Sequence, residues 1–240
     1  MAARARLEQL LKARKLDVTL MGAQPASDAF TVADAADLAM TGVATIDAAL
    51  GGGLRRGHLS EIVGGRSSGR TTAVCRALST AAARGELVAL IDTCDRFDPA
   101  SAAAFGLDLT RLLWIRDTGD ATRALKAMNL VLQAGGFGLV VLDLADIALT
   151  VVRALPFTTW FRLARVIEGS QTVALLVADD HVARGSGGAT IDLERGDKTA
   201  RVVQLDVVPG LTHARWRGRS DRSRLLQGLE MRPRVVGARS

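Results

Sequence analysis

The chain has 240 residues, 48% of them apolar and 23% charged, a balance that supports one sizeable core and excludes a disordered or fibrous polymer. Its net charge of +6 favours acidic partners, either nucleic acid or an acidic protein surface. Cys75 and Cys94 lack metal-ligand spacing and point to reduced thiols in the cytoplasm, while Asp143 and Asp146 interrupt the longest apolar region, so no membrane span is expected.

Residues 1–16 place Leu7, Leu10 and Leu11 among Arg4, Arg6, Lys12, Arg14 and Lys15, the pattern of a short basic amphipathic helix. Docking onto its own domain or a neighbouring subunit competes there with DNA binding. No signal peptide is expected, because Met1 to Leu20 has no unbroken apolar segment. Residues 17–40 read as a connector. Thr41–Leu50 reads as a short capped helix that ends at Gly51–Gly53. An apolar strand, His58–Val63, follows.

The next stretch, Gly64-Gly65-Arg66-Ser67-Ser68-Gly69-Arg70-Thr71-Thr72, leads into a helix through about Arg84. Strand, glycine-rich turn and helix is the setting in which backbone N–H groups converge on a phosphate. The pattern G-x-x-x-x-G-K-S/T is met at Gly64, Gly69 and Thr71, with Arg70 where lysine is expected. Arginine keeps the charge but carries a bulky planar fork, so the exchange is not conservative at a crowded site. Gly64, Ser67, Ser68, Gly69, Arg70, Thr71 and Thr72 are the candidate ATP-binding residues; a strand-to-helix turn that holds nothing is the alternative.

Leu87–Asp92 reads as a strand, Pro99–Gly106 as a helix, Leu112–Ile115 as a strand and Ala121–Ala134 as a helix closed by Gly135-Gly136. Phe137–Asp143 is a buried strand, Phe157–Glu168 a helix and Thr172–Ala178 a strand, with Ile191–Leu193 and Val202–Val207 as later strands. Such alternation predicts an α/β fold, a mostly parallel twisted sheet with helices on both faces. Asp143 ends an apolar strand downstream of the loop, where an acid orients Mg²⁺ with the loop hydroxyl, so Thr71 and Asp143 are the candidate Mg²⁺ residues. His58, His181 and His213 are scattered and suggest no metal site. Trp114 and Trp160 are expected in the core.

The run from Thr41-Gly42 through Ile46-Asp47, Ala49-Leu50-Gly51-Gly52-Gly53, Glu61-Ile62 and Ser67–Thr72 resembles the nucleotide-binding core of bacterial RecA recombinases. The resemblance continues through Ile91-Asp92, Asp98-Pro99, Phe105–Asp108 and Leu112-Leu113, and fades beyond residue 145 or so. It implies a RecA-like P-loop fold that binds ATP and Mg²⁺. Three departures concern hydrolysis. Arg70 replaces the lysine, and Cys94 stands where RecA proteins place the glutamate that orients water, with Asp95 one position off. Asp179 and Asp180 end the strand at which RecA proteins carry a phosphate-sensing glutamine. The segments that would form the two DNA loops are short, and in the second, Arg184 is either a phosphate contact or part of a plain turn.

With these departures and a basic tail, the chain resembles the ImuA group, some of whose members carry the name SulA: RecA-related accessory proteins of the bacterial mutasome. That resemblance implies an adaptor in damage-induced (SOS) error-prone translesion synthesis. Its partners would be an inactive Y-family polymerase homologue and a second replicative-type polymerase, with RecA and DNA as further candidates. From Arg215 to Ser240 there are eight arginines against Asp221 and Glu230. Arg215, Trp216, Arg217, Arg219, Arg222 and Arg224 are the candidate partner or DNA contacts there; a solvated tail is the alternative. The expected organisation is an N-terminal basic helix and connector over 1–40, a RecA-like core over 41–208 and an Arg-rich tail over 209–240. An active DNA-dependent ATPase or recombination mediator is the competing reading, and a structural partner with a relic loop is a third.

Overall fold

The computed structural model describes residues 35–183, 187–194, 216–217, 225–226 and 232–236. In chain order the elements are β1 (Leu38–Ala39), α1 (Ala44–Ala49), β2 (Leu54–Arg55), β3 (Leu59–Val63), α2 (Arg70–Ala83), β4 (Leu87–Asp92), α3 (Pro99–Ala104) and β5 (Leu112–Arg116). There follow α4 (Ala121–Ala134), β6 (Phe137–Asp143), α5 (Leu149–Arg153), α6 (Thr158–Ile167), β7 (Val173–Ala178) and β8 (Gly187–Glu194). The chain closes with β9 (Trp216–Arg217), β10 (Leu225–Leu226) and β11 (Arg232–Val236).

Seven of the strands form one sheet in the order β11-β8-β3-β7-β6-β4-β5. From β8 to β5 every neighbour runs parallel, and β11 closes the edge antiparallel to β8. The central strands are apolar because helices cover both of their faces. Val88 and Leu90 of β4, with Leu139 and Val141 of β6, pack into one apolar layer with Val74, Ala77, Leu78 and Ala81 of α2. Their neighbours Ala89, Ile91, Val140 and Leu142 point the other way, onto Leu125, Met128 and Leu132 of α4 and Trp160 and Leu163 of α6. Side chains that alternate across each strand thus build two cores, one per face. The predicted α/β fold with a mostly parallel sheet is the observed one.

Three local expectations are revised. The helix expected from Thr41 begins at Ala44, and Thr41 is not its cap. Instead Asp47, one turn inside, accepts hydrogen bonds from the Thr41 N–H and hydroxyl, both at 2.7 Å, and from the Gly42 N–H at 3.0 Å. Trp160 is buried as expected, but Trp114 is only partly so: its indole N–H donates to Asp92 at 3.2 Å, and the Arg116 guanidinium lies 4.8 Å from its ring centre. Within the segment read as a tail, Arg232–Val236 is a strand of the main sheet, in register from Arg232 opposite Glu194 to Val236 opposite Thr190. Trp216–Arg217 and Leu225–Leu226 pair with each other as a separate short ladder. The expected basic helix over 1–16 and the strand over 202–207 lie outside the described residues.

Candidate functional site

Parallel strands end together, so the loops at their C-terminal ends share one edge, where doubly wound sheets bind ligands. β3 delivers the chain into the glycine-rich loop. Its first residue, Gly64, is held by its N–H donating to the Ala178 carbonyl of β7 at 3.3 Å. A Cβ on Gly64 would lie 2.6 Å from the Leu193 carbonyl oxygen, so only glycine fits between β8 and the loop. Gly69 caps α2 with φ of 99°, a left-handed conformation that turns the chain into the helix, and the Ala73 N–H donates to its carbonyl at 2.9 Å. A 14-residue helix therefore starts with its unpaired N–H groups at the strand edge.

A cleft of about 200 Å³ opens there, lined by Arg66, Ser67, Arg70, Thr71, Asp92, Cys94, Arg96, Asp143, Ala145 and Asp146. Of the predicted site residues, Ser67, Arg70, Thr71 and Asp143 are brought together around it. Gly64 and Gly69 shape the loop. Ser68 and Thr72 are buried, and the Ser68 hydroxyl has no hydrogen-bond partner among the described residues. Arg184, Arg215, Arg219, Arg222 and Arg224 lie outside the described residues; Trp216 and Arg217 are described only as backbone of β9.

Both guanidinium groups of the loop are paired with carboxylates. The Arg70 guanidinium, buried, makes an ion pair with Asp179, the residue that follows β7. Arg66 donates to Asp146 from Nε at 3.0 Å and from Nη2 at 2.6 Å, which links the loop to the segment after β6. Asp180 is paired with Arg153 of α5 at 2.8 Å. None of these three pairs is legible in the sequence, because each joins residues distant along the chain.

Asp143 ends β6, with its carboxylate accepting the Ala145 N–H at 2.9 Å. Burial, reinforced by the neighbouring Asp92 and Asp146, pushes its carboxyl up to about 6, against the opposing pull of that N–H and of Arg70. Cys94 lies on the cleft wall, and burial and the carboxylates of Asp146 and Asp143 raise its thiol, so it stays protonated at neutral pH. Asp95 does not line the cleft. It adopts φ of 53° and accepts two hydrogen bonds from Arg116, each 2.7 Å. Asp92 is a structural acceptor: the Arg96 and Phe97 N–H groups donate to it at 2.9 and 2.8 Å and fold the segment after β4 back on itself.

The arrangement suits a polyphosphate in part. The loop backbone and the start of α2 supply donors, and Thr71 and Asp143 face one cleft as a shared Mg²⁺ requires. The guanidinium that would meet the outer phosphates is already neutralised by Asp179, and the wall residue Cys94 is a thiol, which cannot orient water as a carboxylate does.

Comparison with known proteins agrees with this geometry. The model of the RecA N-terminal domain matches residues 28–154, more than half of the chain. The RecA protein of Nostoc punctiforme is 38% identical over 115 residues, covering 48% of this chain and 31% of that protein. The RecA protein of an Arthrobacter species is 40% identical over 116 residues, covering 48% of this chain and 32% of that protein. The matched stretch thus spans about a third of the length of these relatives. The crystal structure of the RadB recombinase superposes with a TM-score of 0.52 at 18% identity, over 67% of this chain and 85% of that one, which establishes the fold alone. A strand-loop-helix cradle, an acid at the end of β6 beside it and a family match across both place the chain in the RecA N-terminal domain family.

Proposed function

We propose that this chain is a RecA-like adaptor in damage-induced error-prone translesion synthesis, with an ATP site too degenerate for recombinase work. The observation that carries the reading is the ion pair between Arg70 and Asp179. In a working phosphate loop the cation at this position is attracted by the outer phosphates. Here a carboxylate of the protein takes that place, and a triphosphate would have to displace it while meeting the field of Asp179 itself. Cys94 on the wall and the commitment of Asp95 to Arg116 support the same conclusion, since neither supplies a base to the cleft. Residues 41–208 then act as scaffold, and the basic stretch over 1–16 and the Arg-rich segment over 209–240 as contacts to the mutasome polymerases, to RecA or to DNA, with Arg232–Val236 fastened into the sheet.

A second reading, an active DNA-dependent ATPase or recombination mediator, is favoured by one observation: Thr71 and Asp143 line the same cleft. The two separate in cells. Deletion of the gene from the source organism is expected to lower damage-induced mutation frequency, and both the unaltered gene and Thr71→Ala should restore it. An unchanged mutation frequency overturns the adaptor reading. Failure of Thr71→Ala to restore it moves the function to the nucleotide site.

A further inference from the structure

Helix α6 is apolar on two sides. Trp160, Leu163 and Ile167 are buried against the sheet and α4, which is the face the fold requires. Away from that stripe Phe157, immediately before the helix, and Phe161, one turn on, are 53% and 41% exposed. Their rings pack edge to face, with centroids 5.0 Å apart and planes at 77°. Arg162 and Arg165 are exposed on the same helix, and neither makes an ion pair or hydrogen bond among the described residues. None of these four residues lines the nucleotide cleft. Two exposed aromatic rings on one helix with two uncommitted guanidinium groups, Arg165 one turn beyond Phe161, have the composition of an interface centre rather than of a solvated surface.

We propose that this outer face of α6 docks an acidic amphipathic segment of a different protein, with its apolar side chains over Phe157 and Phe161 and its carboxylates paired with Arg162 and Arg165. Charge selects the occupant. Among the chain's own segments outside the described residues, 1–16 carry Arg4, Arg6, Lys12, Arg14 and Lys15 against Glu8, and Arg215 to Ser240 carry eight arginines against two acids; residues 17–34 are acidic through Asp17, Asp28 and Asp34, but Gly22 and Pro25 interrupt the continuous amphipathic helix this face would take. A second copy that met this face through the same face would set arginine against arginine. Single-stranded nucleic acid would satisfy the arginines, but successive bases stack on ring faces that are roughly parallel, and these rings stand at 77°. An aliphatic side chain fits the angle between such rings, and glutamate or aspartate beside it meets the guanidinium groups as bidentate partners. The face accordingly fits an acidic helix with leucine-type anchors, docked as a helix lies along a groove.

The probes are fluorescent synthetic peptides, titrated against the full chain by anisotropy. One carries leucines at i, i+3, i+4 and i+7 and glutamates elsewhere; a second has the same composition scrambled; a third has lysine for each glutamate; the fourth probe is oligothymidylate. The ordered acidic peptide is expected to bind about tenfold or more tightly than its scramble. Phe157→Ser with Phe161→Ser, and separately Arg162→Glu with Arg165→Glu, should each weaken it about tenfold or more, while thermal melting shows that both variants remain folded. The lysine peptide should gain affinity for the Arg→Glu variant, because the charge pattern is then complementary again. The proposal is overturned if the ordered and scrambled peptides bind alike, or if the phenylalanine exchanges leave binding unchanged, since attraction to the basic termini then accounts for it. Loss of oligothymidylate binding in the phenylalanine variant, with peptide binding intact, would assign the face to nucleic acid and overturn it equally.

Discussion

Glu61→Ala is expected to destabilise the fold by about 3–5 kcal/mol, read from chemical denaturation of the full chain. Glu61 lies in the middle of β3, between Leu176 of β7 and Thr190 of β8, and is 3% exposed. Its carboxylate is the common acceptor for the segment after β7. The Val182 N–H donates to it at 3.1 Å, the Ala183 N–H at 3.0 Å and the Thr190 hydroxyl at 2.9 Å, with the His181 ring nitrogen 3.4 Å away. Alanine would strip the acceptor from two backbone donors and a hydroxyl, and each buried donor left unpaired costs about 1–3 kcal/mol. Glu61→Gln keeps the shape and one acceptor oxygen, so its cost should be smaller. A loss below about 1 kcal/mol for the alanine variant would mean that water reaches these donors and that Glu61 does not hold the segment.

Asp143→Asn is expected to stabilise the protein at neutral pH, measured without added magnesium. The carboxyl is pushed up to about 6 by burial and by neighbouring Asp92 and Asp146, whereas an unfolded aspartate titrates near 3.9. Between those values the folded chain binds a proton that the unfolded chain has lost, so stability falls as pH rises from about 4 to about 6 and is level above. Two pH units of displacement correspond to about 3 kcal/mol. Asparagine keeps the oxygen that accepts the Ala145 N–H and does not titrate. The variant should therefore match the unaltered protein near pH 4 and exceed it by up to about 3 kcal/mol near pH 7.5. Parallel pH profiles would show that Asp143 is better solvated than its place at the end of β6 implies.

The outline of this molecule was legible where local chemistry decides it. Long apolar runs that end in acids, such as Leu87–Asp92 and Phe137–Asp143, have few alternatives to buried parallel strands. Gly64 and Gly69, with Thr71 two residues further on, marked the loop because each answers a local demand of backbone or ligand. Arg232–Val236 was not legible as a strand, because two arginines and a proline among valines look like a solvated tail. Its place follows from pairing with β8 at the sheet edge, where Pro233 is tolerated. Arg70 with Asp179 and Arg66 with Asp146 were not legible for a related reason: a partner choice between distant charges is made by the folded sheet. Glu61 is one polar residue in a strand, and the segment that depends on it, Val182 and Ala183, lies far along the chain.

These unread pairs decide how the cleft is interpreted. Residue types alone leave Arg70 as a substitute phosphate clamp, whereas its ion pair with Asp179 is what the proposed adaptor reading rests on. Asp95 alone is a candidate displaced base, but two hydrogen bonds to Arg116 fix it away from the cleft.

Steady-state ATP turnover by the full chain, with and without single-stranded DNA and with Mg²⁺, tests the loss of the hydrolytic machinery most directly. We expect no DNA-stimulated turnover above background and no change in Arg70→Ala, whose freed partner Asp179 is 41% exposed. DNA-stimulated turnover that disappears in both Arg70→Ala and Thr71→Ala would contradict the adaptor account and establish a working ATPase.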